Sequence, residues 1–313
     1  MNIQFAEPLS RGFHRMKVAL FKPFDVKKWF VVGFTAFLAG LLDGGGGGGG
    51  KGDYGIKNNV DDFGDILEAP YHALNWLQDN PEWALLIFFI AGLIFLFIVF
   101  LTWVSSRGKF MFVDNVVHDR ALVAQPWREY TREGNSLFIW RLFYGLLCFA
   151  IIIGFLFQTW RSAYDLYYDD YHFPWLFFVK MGILLLLLVL FLSYIELLLN
   201  EFVVAVMYKH RLGVMQAWSR LLTIHWTYLP QFILFGLFWL LLSIAAFILV
   251  IIAALLTCCL GLILLIIPYI NAVVLLPLSF TFRSFSLEFL AQFGDEYNVF
   301  SDNQTFTAPH AVG

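Results

Sequence analysis

The sequence predicts an all-α polytopic membrane bundle: six transmembrane helices in three hairpin-like repeats, joined by amphipathic cytoplasmic helices. Three observations predict it. The 313 residues are 60% hydrophobic, with a mean hydropathy of +0.73. Only 14% are charged, against about a quarter in a soluble domain. Apolar runs long enough to cross hydrocarbon recur along the chain, separated by polar segments. Lipid cannot satisfy open backbone N–H and C=O groups, so each run is expected as a helix.

Taken in order, residues 9–28 place Phe13, Met16, Leu20 and Phe21 among basic residues, the pattern of an amphipathic helix. The first span, Trp29–Leu42, is short. It borrows Phe24–Lys28 at its start, with Lys27 and Lys28 snorkelling towards water. Because it begins only after mixed charge, a cleaved signal peptide is not expected. The loop 43–82 opens DGGGGGGGKGDYG. Seven glycines and a lysine resemble a phosphate loop, but no Ser or Thr follows Lys51 and no strand pattern precedes it, so the segment reads as a flexible linker. Val60, Phe63, Ile66, Leu67, Leu74 and Leu77 then mark an amphipathic helix on the outer leaflet, with Trp76 and Trp83 at the interface.

Five runs reach the length of about 20 residues that a crossing of roughly 30 Å requires: Trp83–Val104, Leu137–Trp160, Trp175–Leu199, Leu229–Leu256 and Leu260–Phe280. In the last, Pro268 and Pro277 flank Asn271, which points to a kink or a helix break that lines a cavity. Residues 1–295 form a single membrane domain in this reading, and 296–313 a disordered tail. The segments expected inside hold 15 Lys and Arg, against 3 in the opposite loops, which carry eleven acids. The positive-inside rule therefore puts both termini in the cytoplasm, in a cell (inner) membrane.

The loops hold a repeat. Arg120–Trp127 reads RALVAQPW and Arg211–Trp218 reads RLGVMQAW, so R-x-x-V-x-Q-x-W occurs twice, 91 residues apart. Each copy follows a Phe-Val pair, and at the same offset Gly145 matches Gly236. The repeating unit is one cytoplasmic helix followed by an out-and-back hairpin. Trp favours the headgroup level and Arg meets lipid phosphate. Arg120, Trp127, Arg211 and Trp218 are accordingly read as interfacial anchors, or as a surface for a headgroup or a membrane-protein partner.

ALFKPFDVKKW (Ala19–Trp29), the polyglycine after the first span, WVSSRGKFMFVDNVV and PWREYTREGNSLF together resemble an uncharacterised family of multi-pass prokaryotic membrane proteins. That family is similar to the membrane domain attached to some glycerophosphodiester phosphodiesterases. The resemblance covers most of residues 10–295 and implies no activity and no catalytic residue, since the phosphodiesterase chemistry belongs to a separate soluble barrel.

Ionisable groups inside spans are the candidates for function. Arg141 and Glu196 sit at matching depth on antiparallel spans and read as a polar pair: a hairpin clamp, two side chains snorkelling towards water, or a substrate or proton site. Lys180 is expected to meet Asp169 and Asp170. The loop YDLYYDDYH (Tyr164–His172) groups acids and a histidine without a recurrent ligand spacing, so no metal is expected. No HExxH, GxSxG or CxxC occurs, which removes the standard zinc-protease, serine-hydrolase and dithiol readings. Cys148, Cys258 and Cys259 lie in or beside apolar runs, so no disulfide framework is implied, and the adjacent Cys258 and Cys259 read as packing. No cofactor is expected, and a net charge of −3 gives nothing for nucleic acid to bind. The expected function is a non-enzymatic scaffold or accessory component that meets the lipid bilayer and an unknown membrane protein. The alternative is a small-solute or lipid transporter with its polar site near Arg141 and Glu196.

Overall fold

A computed structural model describes residues 3–43, 62–170, 175–257 and 260–300. The polyglycine linker, His172, Cys258, Cys259 and the tail from residue 301 lie outside the described residues, as do the side chains of Asp169 and Asp170. Among the described residues every regular element is helical. In chain order they are α1 (Ala6–Phe21), α2 (Val26–Ala39), α3 (Asp62–Asp79), α4 (Pro81–Val117), α5 (Ala124–Glu129), α6 (Thr131–Asp170) and α7 (Trp175–Leu198). After a π-turn at Leu199–Val203 follow α8 (Val204–His210), α9 (Val214–Thr227), α10 (Leu229–Leu256), α11 (Leu260–Ile266), α12 (Pro268–Val274) and α13 (Leu276–Ala291).

The chain is a multi-pass membrane protein, but not with six spans. Among the described residues four helices are long and apolar enough to cross a bilayer: Pro81–Val117, Thr131–Tyr168, Trp175–His210 and Leu229–Leu256. A fifth exists only if α12 and α13, bent by 63° at their junction, count as one. The six spans in three hairpin-like repeats expected from sequence are therefore corrected at both ends. The 14 residues of α2 rise only about 21 Å, short of the roughly 30 Å of hydrocarbon. It lies instead along the polar end of α4: Lys28 Nζ is 2.8 Å from Asp119, Ser105 Oγ donates to the Ala39 carbonyl at 3.0 Å, and Lys109 pairs with Asp43. The run Leu260–Phe280 is broken at Ile267 and Leu275, where Pro268 and Pro277 start new helices without a backbone N–H.

The expected cytoplasmic loops are corrected too. Residues 105–117 and 200–210 continue the spanning helices. The 37 residues of α4 extend about 55 Å, so this helix outruns the hydrocarbon and goes on as a buried, polar-bearing rod. Nothing in its sequence stops it sooner, since no proline follows Pro81 within it.

The chain divides into two compact units. The first comprises residues 1–48, 101–140 and 194–313. Its core is aromatic: Phe202, Phe232, Phe235, Phe285 and Phe289 are fully buried, with Phe235 and Phe289 ring centroids 4.5 Å apart. Here α1 lies on α13 so closely that a Cβ on Gly12 would meet the Phe285 backbone nitrogen at 2.9 Å. Tyr297 and Phe300, beyond the last helix, are buried in the same core. The second unit comprises residues 49–100 and 141–193. In it the amphipathic α3 is tied to α6 by the Trp160 indole N–H donating to the Leu67 carbonyl at 2.9 Å and by Tyr71 packing on Trp160. Its apolar side chains point outwards: Leu85, Phe88 and Phe143 are about 70% exposed (72%, 69% and 70%). In a bilayer that surface faces acyl chains.

Candidate functional site: a charged core around a π-turn

The site begins with α13. Phenylalanines at 280, 285 and 289 point into the core, and every residue from Arg283 to Leu290 is buried. A helix buried all round must either be apolar throughout or bring partners for its charges. This one brings partners on two sides. Towards the π-turn, the Arg283 guanidinium Nη1 donates to the Asn200 carbonyl at 2.7 Å and lies 3.4 Å from Glu201 Oε2. Towards α1, Glu288 accepts from Arg15 Nε at 2.6 Å, while Arg11 Nη1 stands 3.8 Å away. Arg15 also lies over the Phe300 ring, 3.6 Å from its centroid.

The π-turn explains why Glu201 is there at all. Five residues, Leu199–Val203, wind more loosely than the α-helix around them. Leu199, Glu201, Phe202 and Val203 are buried together, so a carboxylate enters the core between large apolar neighbours. Single π-turns of this kind inside α-helices are frequent at functional sites.

This charged core is incompletely paired. Arg283 Nε, Asn200 Oδ1 and Ser284 Oγ are buried without a hydrogen-bond partner. So are Tyr194 Oη, His225 Nδ1, Gln231 Oε1, Trp218 Nε1 and Trp239 Nε1. Tyr194 and His225 are neighbours, with ring centroids 6.0 Å apart. Burial lowers the His225 pKa below its ordinary value, which keeps the imidazole neutral. Native cores leave few such atoms unsatisfied, and each unpaired one costs about 1–3 kcal/mol. On the two residues that meet, Arg283 Nε is a free donor and Asn200 Oδ1 a free acceptor for a polar molecule. The core holds no nucleophile activated by a base. Among the described residues no cluster of three His, Cys, Asp or Glu could hold a metal.

A second, fully satisfied network sits in the same unit. Asp114 is 0% exposed. Arg120 grips it with Nε at 2.9 Å and Nη2 at 2.7 Å, the Tyr130 and Tyr208 hydroxyls donate to Oδ1 at 3.2 and 3.1 Å, and His118 Nδ1 is 3.2 Å away. Burial above all pushes the Tyr130 phenol up to about 12, so it stays a donor. For Arg120, burial alone would lower the pKa, but its hydrogen bonds and charge interaction with Asp114 outweigh that and raise it.

The residues singled out from sequence fall as follows. Arg120 serves Asp114, and Trp127 packs edge-on against Trp103 at 5.6 Å. Arg211, in a left-handed conformation (φ 54°), pairs with Glu129 and covers the Tyr130 ring at 3.9 Å. Trp218 packs on Trp140 at 5.6 Å. Both copies of the repeat thus place an Arg in an ion pair and a Trp on a Trp of a long helix. Pro268 opens α12, Pro277 opens α13, and the Asn271 carbonyl accepts from the Leu275 N–H at 2.9 Å. Arg141 belongs to the second unit and Glu196 to the first, each half-buried. Sequence reasoning missed Asp114 and Glu201, which fall in expected cytoplasmic loops, and Arg283 and Glu288, which follow the last expected span. The available signal was the lack of Gly or Pro between Ile183 and His210, which should have carried that helix through Glu201.

The chain belongs to a family of unknown function, DUF7544, whose family model matches residues 5–294. No curated protein and no solved structure matches it.

Proposed function

We propose that this protein is a transporter of a small solute or a lipid, and that the charged core between the π-turn and α13 receives the polar part of its cargo. The observation that carries the reading is the Arg283–Glu201 pair, buried in a membrane protein, with Arg283 Nε and the Oδ1 of its carbonyl partner Asn200 left unpaired. A buried ion pair stabilises little or nothing compared with apolar residues of the same size. Ionisable groups kept inside a membrane protein mark ligand and ion pathways by default. Two further features support the same reading. The π-turn interrupts one membrane helix, and the bent α12–α13 junction interrupts another. Transporters build their sites from interrupted helices of this kind. A scaffold, the expectation from composition alone, needs neither feature. The proposal retains a protein without catalytic chemistry, in a cell (inner) membrane with cytoplasmic termini, which the 15-to-3 split of basic residues supports.

The test uses the full chain reconstituted into vesicles. Two probes cover the two cargo classes: a fluorescent phosphatidylglycerol read by dithionite quenching, and charge movement on a solid-supported membrane under a panel of amino acids, sugars and organic acids. The wild type should move one class. Arg283→Gln/Glu201→Gln, folded by thermal melt, should lose that movement. A folded double variant moving cargo at the wild-type rate, or a wild type moving neither class, sinks the proposal.

A further inference from the structure

Beside α13, on the face away from the π-turn, lies a cavity of about 720 Å³ bounded by α1, α10, α11 and α13. Leu9 and Phe13 close it from α1, Leu249 and Ala253 from α10, and Leu278 from α13. We propose that it holds one acyl chain of an anionic phospholipid whose phosphate sits against the basic face of α1. This site is separate from the charged core, and it goes beyond the transport reading without resting on it.

The walls decide what can enter. The two hydroxyls that line the cavity are turned back on their own helices: Thr281 Oγ1 donates to the Pro277 carbonyl at 2.7 Å, and Thr257 Oγ1 to the Ala254 carbonyl at 2.9 Å. What faces the space is hydrocarbon, and a purely apolar cavity does not hold water. Its volume lies within the range of about 300–1,000 Å³ typical of ligand sites. The shape fits a chain. Along α10 the lining runs from Leu242 to Thr257, a rise of about 22 Å. Half the hydrocarbon thickness is about 15 Å, so a whole acyl chain fits lengthwise. The alanines at 245, 246, 253 and 254 of α10 make the room.

The headgroup is set by α1. Phe13 lines the cavity yet is 55% exposed, which puts it at the rim. Lys17 follows it by one helical turn on the same face and is exposed. A phosphate at the rim would meet that ammonium, and basic groups beside apolar grooves select anionic lipids.

The full chain, extracted in mild detergent from vesicles of equal parts phosphatidylethanolamine and phosphatidylglycerol, is examined by native mass spectrometry. The wild type should keep one phospholipid per chain, enriched in phosphatidylglycerol. Ala246→Trp should lose it. Lys17→Glu should keep a lipid but lose the enrichment. Ile233→Trp, on an exposed part of α10 outside the cavity, should change nothing. A wild type without lipid, or Ala246→Trp with undiminished lipid, overturns the proposal. Should Ala246→Trp fail to fold, a phosphatidylglycerol with a diazirine in its tail decides on the wild type: labelling concentrated at Leu249 and Ala253 is expected, and labelling spread evenly over exposed apolar faces overturns it. Lipid retained without flux would end the transport reading and leave this one standing. Solute flux by a protein holding no lipid would do the reverse.

Discussion

The two units use the same helices for opposite purposes. In the second unit, α4 exposes Leu85, Phe88 and Phe97, and nothing polar interrupts it from Trp83 to Phe100. In the first, the same helix from Ser105 onwards buries Ser105, Ser106, Lys109, Asp114 and Asn115. Apolar outside and polar inside inverts the soluble pattern, and the surrounding solvent explains it. Acyl chains are as apolar as leucine, so a lipid-facing helix gains nothing by hiding its leucines. Where a helix is packed among other helices, it can carry charge provided each charge finds a partner. Charge and close packing therefore go together here, and both belong to the first unit.

The largest effect expected from this contrast is at the charged core. Arg283→Leu or Glu201→Leu alone strands the other charge in a packed core and should cost about 3–5 kcal/mol, with the double variant recovering most of it. Thermal melts in detergent measure all three. Recovery failing in the double variant would mean that the residues do not act as a pair. Next comes Asp114→Ala. It removes the acceptor shared by Arg120, Tyr130 and Tyr208, and each buried hydroxyl left unpaired costs about 1–3 kcal/mol. Asp114→Asn, which keeps an acceptor, should recover part of the loss in the same melt.

Glycines sharpen the comparison. A Cβ on Gly108 would lie 2.7 Å from the Ala39 backbone nitrogen, whereas one on Gly92, Gly145 or Gly182 would meet nothing within 4 Å. Gly108→Ala should destabilise by about 1–3 kcal/mol, because backbone has to shift to admit the methyl. The same change at Gly92 or Gly145 should be neutral, or stabilising by up to about 1 kcal/mol through helix propensity. Opposite signs are expected, and equal losses at Gly108 and Gly145 would erase the distinction between the units.

The smallest effect is a pH dependence. Burial lowers the His225 pKa below 6.5. Below that value the unfolded chain binds more protons than the folded one, so stability falls as pH drops through 6.5 and levels off only below the folded-state pKa. His225→Phe should flatten the melting temperature between pH 7 and the folded-state pKa. An unchanged slope would assign the dependence to other groups.

Hydropathy made the four long spans legible, because a run such as Leu229–Leu256 has few alternatives. It failed for α2 and for α11–α13. Apolar residues packed against protein and those facing lipid read alike, so the short Val26–Ala39 looked like a span. The prolines at 268 and 277 were legible as irregularities, but the 63° bend between α12 and α13 depends on packing that no single segment encodes. The charged core was hidden by an assignment of loops. Glu201 and Asp114 look solvated next to Asn200 and Asp119 unless the helices are seen to run on. The Arg283–Glu201 contact joins residues 82 apart, and nothing local signals it. The repeat at Arg120 and Arg211 was visible as a pattern, yet its use, an Arg in an ion pair and a Trp on a Trp, needed the tertiary structure.

The contrast within α4 can be measured without altering the chain. A small apolar carbene reagent dissolved in the bilayer marks side chains that face lipid, and mass spectrometry reads the marked positions. Labelling should cover the exposed residues between Trp83 and Phe100 and stop at Ser105, leaving Phe110, Met111, Phe112 and Val113 unmarked although they are as apolar. Marks recurring every three or four residues from Ser105 to Val117 would show that this stretch also faces lipid and would contradict a buried charged unit.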